Sequence, residues 1–560
     1  MRRVPPLLVV SWLLFLALGI WTSGRTPAHH EEISTSPTRP ARVLVMAEEG
    51  VLEQEPSCAD ENPPTTVASQ GRPMLAVCAG GLTLPVLIAS YASGIPHWHS
   101  LLGWPLHDGT VFGLRRWTLL VGLLSLFLVH RLVTRLRDEL TAGITTLVLA
   151  VAPAFILLHA NLLQYEVMPW LFIMLAGLVA LGPEGTTKPQ RPVLVGVFVG
   201  LAMASNVKAT FLLTVIVFLA WWMRALRQVR WADLGKATAG FVLGFAPLWV
   251  PNVMFGGAGL DKQVSNRTMF FSREATLSDV GLESINVVRF ATDTASYMNP
   301  QWEPLGFVGT ATAVLVGLTL LFTLVQAVRV LISHEGDAIE ATTGLLLVVF
   351  LVISIKLYNK SQGANYAPMH AFFAMAVATA ITRVTRWRGG RRLALGLAAV
   401  FVVGLGHSTY VRVAATDDLP MSINAQAEAR LVAHLTEHPD PQATIYTTIY
   451  NLAGVIDSLG RGELSTVRLE RVFNTCSNND MECVETRFGW LIDHPGALPA
   501  RVVLPVETYY HDENNASLYE EALAGAAARA GVTMTVEGDF AAGVGDGGPP
   551  MIRLVRLDRT

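Results

Sequence analysis

The chain has 560 residues, of which 51% are hydrophobic and 15% charged, with a formal net charge of -3 and a mean hydropathy of +0.42. An average soluble domain carries about 25% charged residues, so most of this chain belongs in a bilayer. The small net charge, and basic residues dealt out in short clusters rather than gathered in one tail, exclude nucleic acid as a partner.

The first apolar run, Val4 to Trp21, follows Arg2 and Arg3. It reads as a membrane helix rather than a signal peptide, because it exceeds a usual signal core and no small-x-small cleavage site follows Trp21. With Arg2 and Arg3 in the cytoplasm, the next polar stretch lies outside. That stretch opens on His29-His30-Glu31-Glu32. Two carboxylates and two imidazoles at a membrane surface suit the removal of a proton from a substrate hydroxyl; the bland alternative is a solvated loop.

The large outer loop spans residues 23–116, and within it the uncharged segment Met74 to Ile95, broken by Gly80-Gly81, Pro85 and Gly94, reads as interfacial. Spanning helices are then expected at Trp117–Leu132, Thr141–Leu163, Met168–Leu181, Val193–Ser205, Ala209–Met223, Ala237–Val253, Leu305–Ile332, Ala341–Ile355, Ala367–Ile381 and Leu393–Tyr410, with a second large outer loop at 254–304. With the first helix this makes eleven. The inner turns hold Arg131/Arg135/Arg137, Lys188/Arg191, Arg224/Arg227/Arg230/Lys236 and Arg383/Arg386/Arg388/Arg391/Arg392, as the positive-inside rule expects; the acidic inner turn Ser333–Glu340 fits it poorly.

An odd helix count places everything after Tyr410 outside. Residues 411–560 regain charged and turn residues, with β-type runs at Thr444–Tyr450, Arg501–Val506 and Ile552–Leu557 and helical patterns at Ala425–Glu437 and Ser517–Ala530. The expected fold class is therefore a polytopic α-helical membrane domain, 1–410, followed by an extracytoplasmic soluble α/β domain. Cys476 and Cys483, seven apart in an oxidising compartment, are placed to close a local disulfide loop, the alternative being two free thiols; Cys58 and Cys78 stay unassigned.

The expected spans hold no Asp or Glu away from their ends, which argues against an ion-coupled carrier. Ionisable residues gather instead at the outer ends: Arg115 and Arg116, Tyr165-Glu166, Lys208, Asp261-Lys262, Lys356, Lys360 and His370. Each alone is more often an interface anchor. Together they form a polar level able to hold an anionic lipid head group.

This layout resembles the GT-C superfamily of polyprenyl-phosphate-sugar-dependent glycosyltransferases, in particular the branch of the protein O-mannosyltransferases and the lipid A aminoarabinose transferase. Glu31-Glu32 matches the family's Asp-Glu pair after the first helix, with Glu31 one methylene longer than the usual Asp. Arg115-Arg116-Trp117-Thr118 through Gly122 resembles its Arg-x-x-Ser-x-x-x-Gly helix opening. Gly200 through Lys208 resembles its small-residue helix ending in Lys, and Pro153-Ala154-Phe155 through Gln164-Tyr165-Glu166 its third-to-fourth helix turn.

The resemblance implies a polyprenyl-phosphate-linked sugar donor and a lipid, glycan or protein acceptor. Glu31, or Glu32, would act as base, and Lys208 and Arg115, with Lys262, Lys356 and Lys360 behind them, would hold the lipid phosphate. Tyr165, Glu166 and His370 would line the substrate site. No spacing demands a cofactor; some members of the superfamily bind a divalent metal, for which His29 and His30 are the candidate ligands. Two other readings stay open: a transporter or lipid flippase, and a GT-C-like protein without catalysis.

Overall fold

A computed structural model describes residues 5–25, 111–160, 164–181, 191–205, 231–254, 306–333, 370–414 and 420–449, and towards the C-terminus 452, 455–456, 464, 466–469, 480–493, 496–506, 516–541 and 550–559. They fall into two compact units, one entirely helical and one α/β.

The helical unit comprises α1 (Pro6–Arg25), α2 (Val111–Leu136), α3 (Glu139–Val151), α4 (Pro153–Ala160), α5 (Gln164–Leu181), α6 (Pro192–Ser205), α7 (Trp231–Met254), α8 (Gly306–Ser333), α9 (His370–Thr382) and α10 (Gly390–Ala414). At its centre is α3, buried all round from Thr141 to Val151 and touching α1, α9 and α10. Asp138 starts it by accepting a hydrogen bond from Thr141 N at 2.7 Å, which satisfies one of the donors a helix leaves unpaired at its first turn. Its neighbours come close because little lies between them: a Cβ on Gly143 would sit 2.5 Å from Leu7 Cδ1.

The contact between α6 and α7 is tighter still. A Cβ on Gly196 would fall 1.9 Å from Ala237 O, on Gly200 2.4 Å from Phe241 O, on Gly240 2.1 Å from Val193 O and on Gly244 2.0 Å from Val197 O. Two Gly-x-x-x-Gly pairs thus face each other and let the backbones meet, the packing that replaces hydrophobic attraction where the surroundings are already apolar.

Among the described residues four helices are long and apolar enough to cross a membrane: Pro6–Gly24, Arg115–Leu136, Gly306–Val330 and Gly390–Val411. A fifth crossing arises if α3 and α4, which meet at a 64° bend, count as one. The expected continuous span Thr141–Leu163 is corrected here. Pro153 has no N–H for the next helical hydrogen bond and its ring excludes a straight helix, so the run breaks at Ala152. The expected spans Val193–Ser205 and Ala367–Ile381 correspond to shorter apolar helices, and Ala209–Met223 and Ala341–Ile355 lie outside the described residues.

The α/β unit comprises α11 (Pro420–Glu437), β1 (Thr444–Thr447), β2 (Thr466–Arg468), α12 (Met481–Asp493), β3 (Ala500–Pro505), α13 (Ala516–Ala530), β4 (Val532–Ala541) and β5 (Pro550–Arg559). Its five strands run in the order β2-β1-β3-β5-β4; β1 is parallel to β2 and β3, and β5 is antiparallel to β3 and β4. One face packs Val502, Leu504, Val555 and Leu557 against Phe488 of α12 and Leu523 of α13. The other packs Ile445, Val503, Ile552 and Leu554 against Leu431 and Leu435 of α11. The ladder between β4 and β5 slips at Glu537, since Val536 opposes Val555 and Gly538 opposes Leu554, and it shifts again between Phe540 and Ala541. Cys483 on α12 is disulfide-bonded; Cys476, like Cys58 and Cys78, lies outside the described residues.

Candidate functional site

The C-terminal end of α1 is the described part of the chain nearest in sequence to Glu31 and Glu32. A helix leaves its last four carbonyls without partners in its own turns. Arg115, in the second turn of α2 and completely buried, donates from Nη1 to Ser23 O at 2.8 Å and so meets one of them. Its cation also complements the negative end of the helix dipole. Thr118 Oγ1 donates to Arg115 O at 2.8 Å, keeping its own hydroxyl within α2.

The same end of the bundle gathers two more elements. Trp21 of α1 stacks on Tyr410 of α10, with centroids 5.3 Å apart and planes 9° from parallel. Thr409 donates to Val151 O at 3.0 Å. That carbonyl is in need of a donor because Pro153 and the bend end the α3 ladder. The ends of α1 and α10, the start of α2 and the α3–α4 break are therefore joined by named contacts around Arg115.

Of the residues singled out for the outer polar level, Arg115 and its neighbour Arg116 are the two whose side chains are described. Tyr165 and Glu166 fall in the first turn of α5 and His370 is the first residue of α9. Glu31, Glu32, His29, His30, Lys208, Lys262, Lys356 and Lys360 lie outside the described residues. Among the described residues no three His, Cys, Asp or Glu side chains are grouped to hold a metal.

His159 adds a polar group that no motif announces. It is buried on α4, its Nδ1 lies 2.8 Å from Phe155 O, and Nε2 has no hydrogen-bond partner among the described residues. Its ring meets Phe15 edge-on at 5.9 Å and Phe155 at 4.2 Å. Gly122 leaves the room for this cluster, because a Cβ there would come within 2.3 Å of Phe15 Cζ and 3.1 Å of His159 Cδ2. The available signal was an imidazole inside an apolar run, Leu157-Leu158-His159-Ala160, since an ionisable group at such a place is costly.

No family model matches the chain, and no curated protein matches it by sequence. Solved structures do. ArnT from Cupriavidus metallidurans bound to undecaprenyl phosphate is similar at a TM-score of 0.57 and 14% identity, over 98% of this chain and 97% of that one. Its apo form gives 0.53 at the same identity and coverage. AglB, the oligosaccharyltransferase of Archaeoglobus fulgidus, in complex with an inhibitory peptide and a dolichol-phosphate, gives 0.51 at 13% identity, over 97% of this chain and 74% of that one. Both are GT-C proteins. The chain has the GT-C fold. That fold and the apolar helices make it an integral membrane protein. The motifs that carried the resemblance lie between Glu31 and Lys208, and the likeness to ArnT covers 98% of the chain, the α/β unit included. The residues gathered around Arg115 belong to the helical unit, which takes in α2 from Arg115 onward.

Proposed function

We propose that the protein is a membrane glycosyltransferase that moves a sugar from a polyprenyl-phosphate donor to an acceptor hydroxyl on the outer face, with inversion at the anomeric carbon. The observation that carries this reading is the fold likeness over nearly the whole of both chains to ArnT bound to undecaprenyl phosphate. The dolichol-phosphate in the AglB complex supports the same class of donor. The acceptor is a lipid, a glycan or a protein, and the α/β unit faces the same outer compartment.

Glu31, with Glu32 beside it, takes the acceptor proton as the hydroxyl attacks. The departing lipid phosphate is a stable anion and needs cations more than a proton donor, a part given to Lys208 and Arg115, with Lys262, Lys356 and Lys360 in support. Tyr165, Glu166 and His370 line the substrate site. Arg115 is already anchored through Ser23 O, so its charge sits at the beginning of the chain segment that carries the two glutamates. If a divalent metal takes part, His29 and His30 are its ligands.

Purified protein incubated with radiolabelled polyprenyl-phosphate sugar and candidate acceptors tests the reading directly. Glu31→Gln keeps size but removes the base, so transfer should fall by about two to four orders of magnitude while donor lipid still binds. Lys208→Ala should weaken both donor affinity and turnover, because a phosphate contact serves ground state and transition state alike. A folded Glu31→Gln/Glu32→Gln protein that transfers sugar at the parental rate would end the proposal.

A further inference from the structure

Between α9 and α10 the chain turns through a 3-10 segment, Arg383–Arg386, and then Trp387-Arg388-Gly389-Gly390-Arg391-Arg392. Five arginines fall within ten residues, and there is no Asp or Glu anywhere from 370 to 414. The turn is closely held. Trp387 N bonds Val384 O at 3.0 Å, Gly390 N bonds Trp387 O at 2.8 Å and Arg392 N bonds Gly389 O at 3.1 Å. Gly389 takes φ +77°, and a Cβ on Gly390 would lie 1.9 Å from Val384 O, so both glycines are required by the backbone.

Arg383 is used inside the bundle, donating to Gln326 Oε1 at 3.1 Å and lying over the Phe322 ring at 5.3 Å. Arg388, Arg391 and Arg392 are exposed, and among the described residues none of their side chains has a hydrogen-bond or ion-pair partner. Trp387 stands 67% exposed beside them. Two observations put this patch at the ends of apolar helices. The apolar span Gly390–Val411 begins within it, and Gln326, which holds Arg383, lies four residues from the end of the span Gly306–Val330.

Three unpaired guanidinium groups and an exposed indole, held by a rigid turn where two apolar spans end, match the phosphate and glycerol depth of a lipid. We propose that this turn is a binding site for an anionic phospholipid, with Arg388, Arg391 and Arg392 on the headgroup phosphate and Trp387 at the glycerol level. The guanidinium geometry suits a phosphate oxygen pair better than an ammonium would. The site is separate from the outer-face transfer site and stands whether or not that reading holds.

Native mass spectrometry of the detergent-solubilised full chain, titrated with phosphatidylglycerol or phosphatidylcholine, measures the site. The wild type should retain phosphatidylglycerol in preference, and the preference should weaken as salt rises. The triple change Arg388→Gln/Arg391→Gln/Arg392→Gln should lower the affinity for phosphatidylglycerol by about a hundredfold, roughly fivefold per charge. The corresponding triple Lys protein keeps the charge and should keep most of the preference. If it loses the preference as fully as the Gln protein, the effect belongs to a disturbed turn and the proposal fails. It fails equally if the Gln protein binds as the wild type does, the result expected if the acidic stretch Ser333–Glu340 neutralises the patch. Displacement of the lipid by glycerol phosphate at comparable concentration would make this a site for soluble phosphate and would also overturn it.

Discussion

The two units of this protein treat arginine in opposite ways. In the helical unit Arg115 donates to Ser23 O, Arg135 to Leu178 O and Arg383 to the amide oxygen of Gln326. The acceptors are neutral, and two of them are carbonyls near helix C-termini. Arg137 also lies 3.7 Å from Asp138, in the turn before α3. In the α/β unit Arg553 forks onto Asp539 at 2.7 and 2.8 Å and reaches Glu520, while Arg556 joins Asp440 and Asp558. Arg529 likewise pairs with Glu485. A carboxylate is costly where no water can solvate it, and these three contacts use neutral dipoles, two of them the backbone's own. Where water reaches, a carboxylate is affordable and gives the shorter, bidentate contact.

The sharpest way to break this contrast is at α6 and α7, where backbone meets backbone. Gly240→Leu would drive a side chain into Val193 O, and the loss should exceed about 4 kcal/mol, the exceptional range for single substitutions. The expected readout is loss of a monodisperse peak on size exclusion. In the α/β unit, Arg501 is 6% exposed and its Nε lies 2.9 Å from Glu537 Oε2, without a well-aligned hydrogen bond between them, while Nη1 donates to His438 O. Arg501→Met leaves Glu537 with Arg556 alone, 3.5 Å away, and should destabilise by about 2 kcal/mol in denaturant unfolding. Adding Glu537→Gln should recover part of that, since a carboxylate that has lost its nearer cation costs more than a neutral amide.

Arg115→Met removes a charge-assisted bond to a neutral carbonyl and should lower thermal stability without donor by about 1.5–3 kcal/mol. An unchanged melting temperature would detach Arg115 from the end of α1. The smallest effect is the acid response. Hydrogen bonds from Arg556 and Arg553 hold the Asp440 and Asp539 carboxyls below their ordinary 3.8. They contribute stability that is complete above that value and is lost as pH falls through the lower, folded values. His434 is held below its ordinary 6.5, first by burial and then by the neighbouring His438, so acidification from 6.5 downward favours the unfolded form. Amide exchange in β5, corrected for intrinsic rates, should therefore quicken from pH 6.5 downward, and α3 should not follow. His434→Gln should remove the earlier part of that response.

Long apolar helices were legible in the sequence because length and charge-free composition suffice: Leu305–Ile332 was expected against Gly306–Ser333. The strands at Thr444, Ala500 and Pro550 and the helices ending at Glu437 and Ala530 were legible from periodicity. The break at Pro153 and the facing Gly-x-x-x-Gly pairs were written in the sequence and passed over, because an uninterrupted apolar run hides punctuation. The strand β4 was passed over because its burial is shallow and its alternation fails midway. The bond from Arg115 to Ser23 was not legible at all. Its acceptor is a main-chain carbonyl 92 residues away, and a carbonyl has no letter of its own.

The slip at Glu537 reaches beyond its own ladder. Before it, Val532 and Met534 dip into the layer beneath α12 and α13; after it, Phe540, another even-numbered position, dips into the layer beneath α11. One extra residue has changed the parity of the strand, so that a single run of chain feeds two cores in turn. It also turns inward the carboxylate that meets Arg501, leaving Val536 at 48% exposure. Deleting Glu537 would restore strict alternation and force one half of β4 to show its wrong side, with either Met534 or Phe540 delivered to water.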